Sequence, residues 1–482
     1  MVRQLGFEFS GFARKKAELN TSVRARSALV AVKPGAVACL LHNSEIAAKC
    51  ICKMIAKFIR DIILFLLVSG LSRLLPFLLT PIFTHYLVPQ EMGKLELILS
   101  LYTIFMVFGM CQLDTSFQRY FYNGVGVSRS VVVGVTKLSI ATTLFFFAAI
   151  PILISLLSLS HDSFTALAIA GASIPFANLH IINSLIIRYS RPIKYVILIN
   201  VLQTTLFATL ACIVIVKLKW GVEGYFFALL FSYVISVLIS FGMIKDQILT
   251  AIDKLDEKKI WQFALPQMPA RIASVIAQYG NRFVLYIIFT QATIGVFSIA
   301  SKMSALMLVG LSAFCMVWYP LLYQKSESTK KDIIQIFKVV IIFMPVVVIG
   351  LFCISKYIFA FYISTDYSEA EFPTYIMILA ASLLIIKEMV DAGIKISEKS
   401  KYISYIYIGN TIVLFLLILF LGAVWGLNGV AYSMLISNII LTYSTWFVAE
   451  SLHPMKFDMR YCHAYVIFCL ICTFLTKSLM LG

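Results

Sequence analysis

Ionisable side chains inside long apolar runs are the residues of this sequence with the most informative chemistry. Arg73, Arg282 and Lys302 each interrupt an apolar stretch, and Arg271 lies on the same stretch as Arg282. A charge at the centre of a membrane helix costs about 2.5–3.5 kcal/mol on insertion scales, so it normally faces a cavity or a partner. Because guanidinium groups bind phosphates through paired hydrogen bonds, these cations predict a binding site for a pyrophosphate or an acidic sugar. Ion pairing with carboxylates, or snorkelling to the membrane surface, is the alternative.

Lys387, Glu388 and Asp391 form a second charged group inside an apolar run. Lys387 and Asp391 are four residues apart, so they can pair on one helix face and neutralise each other. The alternative hypothesis is that Glu388 or Asp391 binds a proton or Na⁺ that drives transport, because burial favours the protonated form of a carboxyl group.

Two further polar groups are candidate site residues. Asp114 and Arg119 follow an apolar run, where they predict either a boundary salt bridge or a gate. His180 and Asn183 interrupt another apolar run and share one helix face. This face predicts either the lining of a cavity or interhelical hydrogen bonds.

The elements that must position these residues are membrane-spanning helices. The 482 residues are 61% hydrophobic and 13% charged, against about 25% charged in a typical soluble domain. The apolar runs have the length of about 20 residues that a helix needs to cross a bilayer, and they lack the alternation of a β-barrel. We therefore predict an all-α, polytopic bundle of about 12–13 spans. The predicted spans lie near residues 62–84, 95–113, 131–157, 164–187, 195–216, 223–243, 263–289, 294–318, 333–354, 373–394, 402–421, 427–449 and 461–481.

The basic residues between these spans predict the orientation of the chain. Alternate connections carry 17 Lys and Arg on one side and 4 on the other. The basic set comprises 114–130, 188–194, 244–261, 320–332, 395–401 and 450–461. The opposite set comprises 85–94, 157–164, 217–223, 289–295, 355–372 and 421–426. The positive-inside rule places the basic set, and the N-terminus, in the cytoplasm of a multi-pass membrane protein.

The formal charge of +17 does not indicate nucleic-acid binding, because most Lys and Arg lie singly between apolar runs. Residues 1–53 carry nine Lys and Arg without a spanning run, so we predict a disordered basic extension or a native start at Met54. A lipid-surface arm is the alternative. The ten scattered cysteines predict neither a metal site nor a disulfide framework, and we expect no cofactor apart from a coupling proton or sodium ion.

Two halves of the sequence resemble each other at an offset of about 205 residues. Trp220-Gly221-Val222-Glu223-Gly224 and Trp425-Gly426-Leu427-Asn428-Gly429 start corresponding spans, and Gly93 corresponds to Gly295. Six helices per half predict two lobes related by a pseudo-two-fold axis along the membrane normal, as in many transporters. The predicted parts are an N-lobe (54–243), a cytoplasmic linker (244–261), a C-lobe (262–449) and an extra C-terminal span (450–482).

Several short motifs, in their order along the chain, carry a resemblance to a known family. They are Leu87-Val88-Pro89-Gln90-Glu91-Met92-Gly93, Leu113-Asp114-Thr115 with Arg119-Tyr120-Phe121, Leu265-Pro266-Gln267-Met268-Pro269, Asn281-Arg282-Phe283, and the two Gly-x-x-Gly helix starts. Residues 54–450 resemble the polysaccharide biosynthesis proteins of the oligosaccharide-flippase type. This is the Wzx-like branch of the multidrug/oligosaccharidyl-lipid/polysaccharide exporter superfamily. Asn281 departs from the acidic residue that the family often has there, and a thirteenth span departs from its usual twelve or fourteen.

The resemblance implies a flippase of the bacterial inner membrane rather than an enzyme. Its substrate would be an undecaprenyl-pyrophosphate-linked oligosaccharide, moved by alternating access for O-antigen or other surface polysaccharide assembly. Its partners would be the lipid bilayer, this lipid-linked sugar and a polysaccharide polymerase complex. A drug exporter of the same superfamily is one alternative. A membrane-embedded polymerase or glycosyltransferase is the other, although no nucleophile triad, metal cluster or phosphate loop is evident in the sequence.

Overall fold

The computed structural model describes residues 77, 79–121, 127–157, 163–248, 254–322, 327–397, 399 and 401–481. All described residues belong to one unit, Asp61–Gly482. The predicted extension 1–53 and most of the first predicted span lie outside the described residues. Within the described ranges the chain is helical and contains no β-strand, which confirms the predicted all-α class.

The described part of the N-lobe and the linker begins with helical residues 79–86. The helices that follow are α1 (Pro89–Met110), α2 (Leu113–Tyr120), α3 (Val127–Leu156), α4 (Ser163–Ser190), α5 (Ile193–Ala211), α6 (Gly221–Ile248) and α7 (Lys254–Ala264). A π-helical turn, Cys212–Lys217, extends α5. The amphipathic linker helix α7 packs on α2 and α3, where Ile260 and Ala264 join a buried apolar cluster with Leu113 and Phe117.

The C-lobe and the C-terminal span contain the remaining helices. They are α8 (Met268–Tyr279), α9 (Asn281–Ile288), α10 (Gln291–Leu322), α11 (Glu327–Phe361), α12 (Glu371–Val390), α13 (Ala392–Ile396), α14 (Lys401–Leu452) and α15 (Arg460–Leu481). The two lobes meet chiefly where α1 packs along α10 and against α8.

Long apolar helices with exposed apolar faces make this bundle a multi-pass membrane protein. Eight of the described helices are long and apolar enough to cross a bilayer, and the apolar helix Arg460–Thr476 is shorter. Leu144, Phe145, Phe420 and Phe447 are each more than 60% exposed on such helices. Exposure of many large apolar side chains to water is unfavourable, whereas the hydrocarbon of a bilayer accommodates them. These faces are therefore expected to contact lipid.

The predicted continuous span at 263–289 is wrong in one respect, because the structure breaks it into several pieces. A 3₁₀ turn, Leu265–Gln267, separates α7 from α8, and Gly280 separates α8 from α9. Pro266 and Pro269 cause the first break, since proline lacks the amide donor that a helix interior requires. The interruption at Gly280 is slight, because this residue keeps helical dihedral angles (φ −64°, ψ −22°), and α9 after it carries Arg282.

The first glycine of the repeated Trp-Gly motif has a positive φ in both halves. Gly221 has φ 55° and Gly426 has φ 59°, values that favour glycine. Gly426 kinks α14 into two helical segments, in agreement with the two spans predicted at 402–421 and 427–449. The second glycine of each motif allows close packing on the preceding helix. A Cβ atom on Gly224 would lie 2.7 Å from Val214 Cγ1, and one on Gly429 would lie 1.9 Å from the Leu421 carbonyl oxygen.

Candidate functional site

A buried charge cluster joins the two lobes and is the candidate binding site. Glu96 of α1 is buried, and its Oε1 lies 2.7 Å from Nζ of Lys302 on α10. Its Oε2 lies 3.7 Å from Nε of Arg282 on α9, an ion pair longer than a hydrogen bond. The structure thus brings together two of the predicted substrate-binding cations, with an N-lobe carboxylate between them.

Arg282 is held by its local surroundings as well as by Glu96. Its Nη1 donates to Asn281 Oδ1 at 2.8 Å, and its Nη2 donates to Ser301 Oγ at 3.5 Å. The guanidinium carbon lies 5.8 Å from the ring centroid of Tyr279 and 5.9 Å from that of Phe297. Arg282 is the second residue of α9.

The three side chains Glu96, Arg282 and Lys302 together carry one net positive charge, because two cations contact one carboxylate. Burying an ion pair is favourable only when the charges compensate each other, so a second anion would be stabilised here. The side chain of Lys302 is 28% exposed and that of Arg282 is 13% exposed, whereas Glu96 is 5% exposed. The two cations are therefore accessible to a ligand to a degree that the carboxylate is not.

Close backbone packing seals the lobes on one side of the cluster, the predicted extracytoplasmic side. A Cβ atom on Gly93 would lie 1.8 Å from the Gln291 carbonyl oxygen, and one on Gly295 would lie 2.0 Å from the Pro89 carbonyl oxygen. The pair that the internal repeat predicts, Gly93 and Gly295, thus meets across the interface. The Tyr367 hydroxyl adds a further link by donating to the Leu87 carbonyl at 2.7 Å. The predicted outer ends of the lobes are closed in this conformation.

A second charge cluster lies wholly within the C-lobe and is balanced. Lys387 Nζ lies 3.0 Å from both Glu388 Oε1 and Asp391 Oδ2. Lys395 Nζ lies 2.6 Å from Glu388 Oε2 and 2.9 Å from Asp391 Oδ2. The Tyr319 hydroxyl donates to Glu388 at 2.8 Å. Each acid of the predicted ion-coupling group therefore contacts two ammonium groups, and the network connects α10, α12 and α13.

The predicted N-lobe site residues His180 and Asn183 are buried between helices. His180 Nδ1 lies 2.9 Å from Ser236 Oγ, and Asn183 Nδ2 donates to Ser240 Oγ at 2.9 Å. These contacts join α4 to α6, which is the interhelical arrangement that the sequence left open as an alternative.

The predicted gate residues Asp114 and Arg119 lie on α2, which packs on the linker helix. The side chain of Arg119 stacks on Phe263 of the linker helix, with 4.4 Å from the guanidinium carbon to the ring centroid. The salt bridges among the described residues do not include the predicted pair of Asp114 and Arg119, and Ser116 links α2 to the Ile260 carbonyl instead. Arg271 is exposed on α8, and Arg73 lies outside the described residues.

Glu96 and Lys395 are the residues of the two clusters that sequence reasoning did not select. Glu96 lies within the predicted span 95–113 and interrupts its apolar run, which was the available signal. Lys395 follows Asp391 by four residues, the spacing of a helical ion pair. One Cys-x-x-Cys pair, Cys469 and Cys472, lies within α15 with both thiols free. In the described ranges, no group of three or more His, Cys, Asp or Glu residues is arranged to hold a metal ion.

Comparisons with known proteins give a family match over more than half of the chain. Residues 58–326 match the family described as polysaccharide biosynthesis protein. A search among curated proteins finds no match.

Solved structures with the same fold come from membrane transporters. A lipid II flippase MurJ in an inward closed conformation has a TM-score of 0.68 at 18% identity, over 86% of this chain and 92% of that chain. An inward-facing multidrug resistance MATE family transporter of the MOP superfamily has a TM-score of 0.64 at 15% identity, over 78% and 94%. The Vibrio cholerae MATE transporter VcmN in its bent form has a TM-score of 0.52 at 14% identity, over 86% and 99%. These likenesses show that the chain shares its fold with these transporters.

Proposed function

This chain belongs to the polysaccharide biosynthesis protein family, and we propose from this premise that it is a lipid-linked oligosaccharide flippase. Its substrate is an undecaprenyl-pyrophosphate-linked repeat unit, which it moves from the inner to the outer leaflet of a bacterial inner membrane. The flipped unit serves O-antigen or other surface polysaccharide assembly, where a polymerase complex is the receiving partner. The reaction makes and breaks no covalent bond.

The observation that carries this proposal is the positively charged cluster of Arg282, Lys302 and Glu96 between the lobes. A pyrophosphate is a dense anion, and a planar guanidinium with a neighbouring ammonium matches its oxygen atoms. A drug exporter for cationic compounds would need the opposite balance of charge at this interface. The cluster therefore supports an anionic lipid head group over a cationic drug.

The closed outer contact at Gly93 and Gly295 supports alternating access. With the outer ends of the lobes closed, the head group enters from the cytoplasmic side and reaches the cluster. Rocking of the two lobes around this site then exposes it to the outer leaflet, as in other two-lobed transporters. The apolar lipid chain stays in the bilayer, so only the charged and sugar-bearing part crosses the interior.

Complementation of a deletion strain tests the proposal. Loss of the gene is expected to cause accumulation of a lipid-linked repeat unit in the inner leaflet and loss of surface polysaccharide. Arg282→Ala and Lys302→Ala each remove a charge-assisted contact of about 1.5–3 kcal/mol, which corresponds to a roughly 10- to 100-fold loss of head-group affinity. We expect neither variant to restore surface polysaccharide.

The matched control is Lys331→Ala, which removes an exposed cation at the start of α11 and is expected to rescue fully. All variants are compared at equal membrane abundance. Full rescue by both cluster variants would reject the substrate site. A deletion strain that keeps its surface polysaccharide but becomes sensitive to cationic drugs would instead indicate drug export.

A further inference from the structure

The two cations of the interlobe cluster depend on a carboxylate from the opposite lobe. Arg282 and Lys302 belong to the C-lobe, and Glu96 belongs to the N-lobe. Residue 281, next to Arg282, is an asparagine, whose neutral Oδ1 accepts a hydrogen bond from Arg282 at 2.8 Å. An acid at this position would neutralise Arg282 within its own lobe. The ion pairs described for Arg282 and Lys302 are instead with Glu96 of the opposite lobe, so they connect the two lobes.

This electrostatic link lies directly beneath the closed outer contact. Glu96 follows Gly93 by three residues, so the two lie on the same face of α1, about one turn apart. Glu96 is seven residues from the start of α1 at Pro89, or ~10 Å along the helix axis. Outward opening, which must separate Gly93 from Gly295, must also separate Glu96 from Arg282 and Lys302.

We propose that Glu96 is a built-in competitor of the substrate, and that its ion pairs latch the outer ends of the empty carrier closed. The incoming pyrophosphate takes over Arg282 and Lys302, which frees Glu96 and releases the latch. This inference rests on the proposed function for the identity of the anion, but the latch itself rests only on the geometry of the cluster.

The physical basis is charge compensation. A pyrophosphate group carries more negative charge than one carboxylate and presents several oxygens to both cations. Glu96 then remains as a buried carboxylate without compensation, which is unfavourable in a low-dielectric interior. Separation of the lobes allows Glu96 to gain water, so anion binding and outward opening become linked. An empty carrier keeps its outer side closed, which limits leakage of other lipids.

The test measures the distance between the outer ends of the lobes in the full-length protein in lipid nanodiscs. Spin labels are attached to p-acetylphenylalanine at positions 86 and 362, which leaves the native cysteines untouched. Tyr86 and Tyr362 are about half exposed and line the same open surface groove of about 600 Å³, one from each lobe. Inorganic pyrophosphate is the added anion.

We expect Glu96→Gln to increase the ratio of open to closed molecules roughly tenfold or more without any anion, because one partner of a buried charge pair is lost. Asn281→Asp keeps Glu96 but supplies an acid in the C-lobe that competes with Glu96 for Arg282. We expect this variant also to increase the ratio of open to closed molecules. Glu223→Gln is the matched control. Glu223 is also an N-lobe carboxylate, but it accepts a hydrogen bond from Thr165 of the same lobe. Its substitution should leave the distance between the two spin labels unchanged.

The outcomes separate the latch from the substrate. If pyrophosphate opens the wild-type protein and adds nothing in Glu96→Gln, both the latch and the pyrophosphate substrate are supported. If pyrophosphate has no effect while Glu96→Gln and Asn281→Asp open the outer side, the latch stands and the proposed substrate fails. A closed distribution in both folded variants would overturn the latch. If Glu96→Gln fails to fold, the result for Asn281→Asp decides.

Discussion

Glu388 and Asp391 are surrounded by neighbouring charges of the C-lobe. Both carboxylates contact Lys387 and Lys395, so a sodium ion would have to compete with two ammonium groups at each acid. The aromatic ring of Tyr407 adds to this arrangement, since Lys387 Nζ lies 4.6 Å from its centroid. A balanced network of this kind supports a structural role over ion coupling, and coupling by these acids remains a hypothesis.

Substitutions in this network distinguish the two roles. Asp391→Asn leaves two lysines facing one acid, which we expect to destabilise the fold by about 3–5 kcal/mol, the usual cost of breaking a buried pair. The double variant Lys387→Met with Asp391→Leu removes one charge of each sign, so its cost should be smaller. Thermal unfolding of the purified protein in detergent measures both effects.

Single substitutions of the two acids test ion coupling when they are combined with transport assays. Glu388→Gln and Asp391→Asn should leave the dependence of flipping on proton and sodium gradients unchanged in the folded fraction. The structural role would be contradicted if either variant unfolded at the wild-type temperature but its flipping no longer depended on a proton or sodium gradient.

At the scale of helices, glycines set how closely the spans approach each other. Gly93 on α1 and Gly295 on α10 allow backbone contact across the lobe interface, and Gly429 allows contact within the C-lobe. Within a bilayer the hydrophobic effect does not drive helices together, so their association depends on van der Waals packing. Small residues at such positions allow the close backbone approach that this packing needs. The outer closure therefore depends on the absence of side chains at particular positions.

Gly93→Ala tests this dependence. Its Cβ atom would lie 1.8 Å from the Gln291 carbonyl oxygen, so α1 and α10 must move apart. We expect incomplete closure of the outer side and loss of polysaccharide rescue, although alanine by itself favours a helix by about 1 kcal/mol over glycine.

Gly350→Ala is the matched control on α11, because no atom lies within 4 Å of its added Cβ. It should keep full rescue and a wild-type or slightly higher unfolding temperature. Full rescue by Gly93→Ala as well would contradict the requirement for close contact.

At the scale of the whole molecule, the distribution of basic residues predicts which ends of the bundle face the cytoplasm. The outer closure, the cluster and the direction of transport all take their orientation from this topology. Glu369 in the connection 355–372 and Lys399 in the connection 395–401 are both exposed, and they lie on opposite predicted sides.

Cysteine labelling in cells tests the topology. A membrane-impermeant thiol reagent should modify Glu369→Cys in intact cells and Lys399→Cys only after permeabilisation of the membrane. Both variants are compared with the unsubstituted protein to subtract labelling of native cysteines. The reverse labelling pattern would show that the orientation in the membrane is opposite to the predicted one. Labelling of both cysteine variants in intact cells would contradict the single membrane crossing predicted between positions 369 and 399.

The sequence by itself determined the helical bundle and most of its spans, because a helix in lipid satisfies its backbone hydrogen bonds locally and its length follows from the apolar run. It also predicted that Trp220-Gly221 corresponds to Trp425-Gly426, and both glycines have a positive φ. The break at Gly280 was less evident, because a glycine within an apolar run is also compatible with a continuous helix.

Only the tertiary structure decided which charges meet. Glu96 is far from Arg282 and Lys302 in the sequence, and no local spacing relates them. The same holds for His180 and Ser236, whose contact depends on how α4 packs on α6. Long-range pairing is set by shape and close packing across helix faces, so a pattern read along one helix can select a charged residue but not its partner.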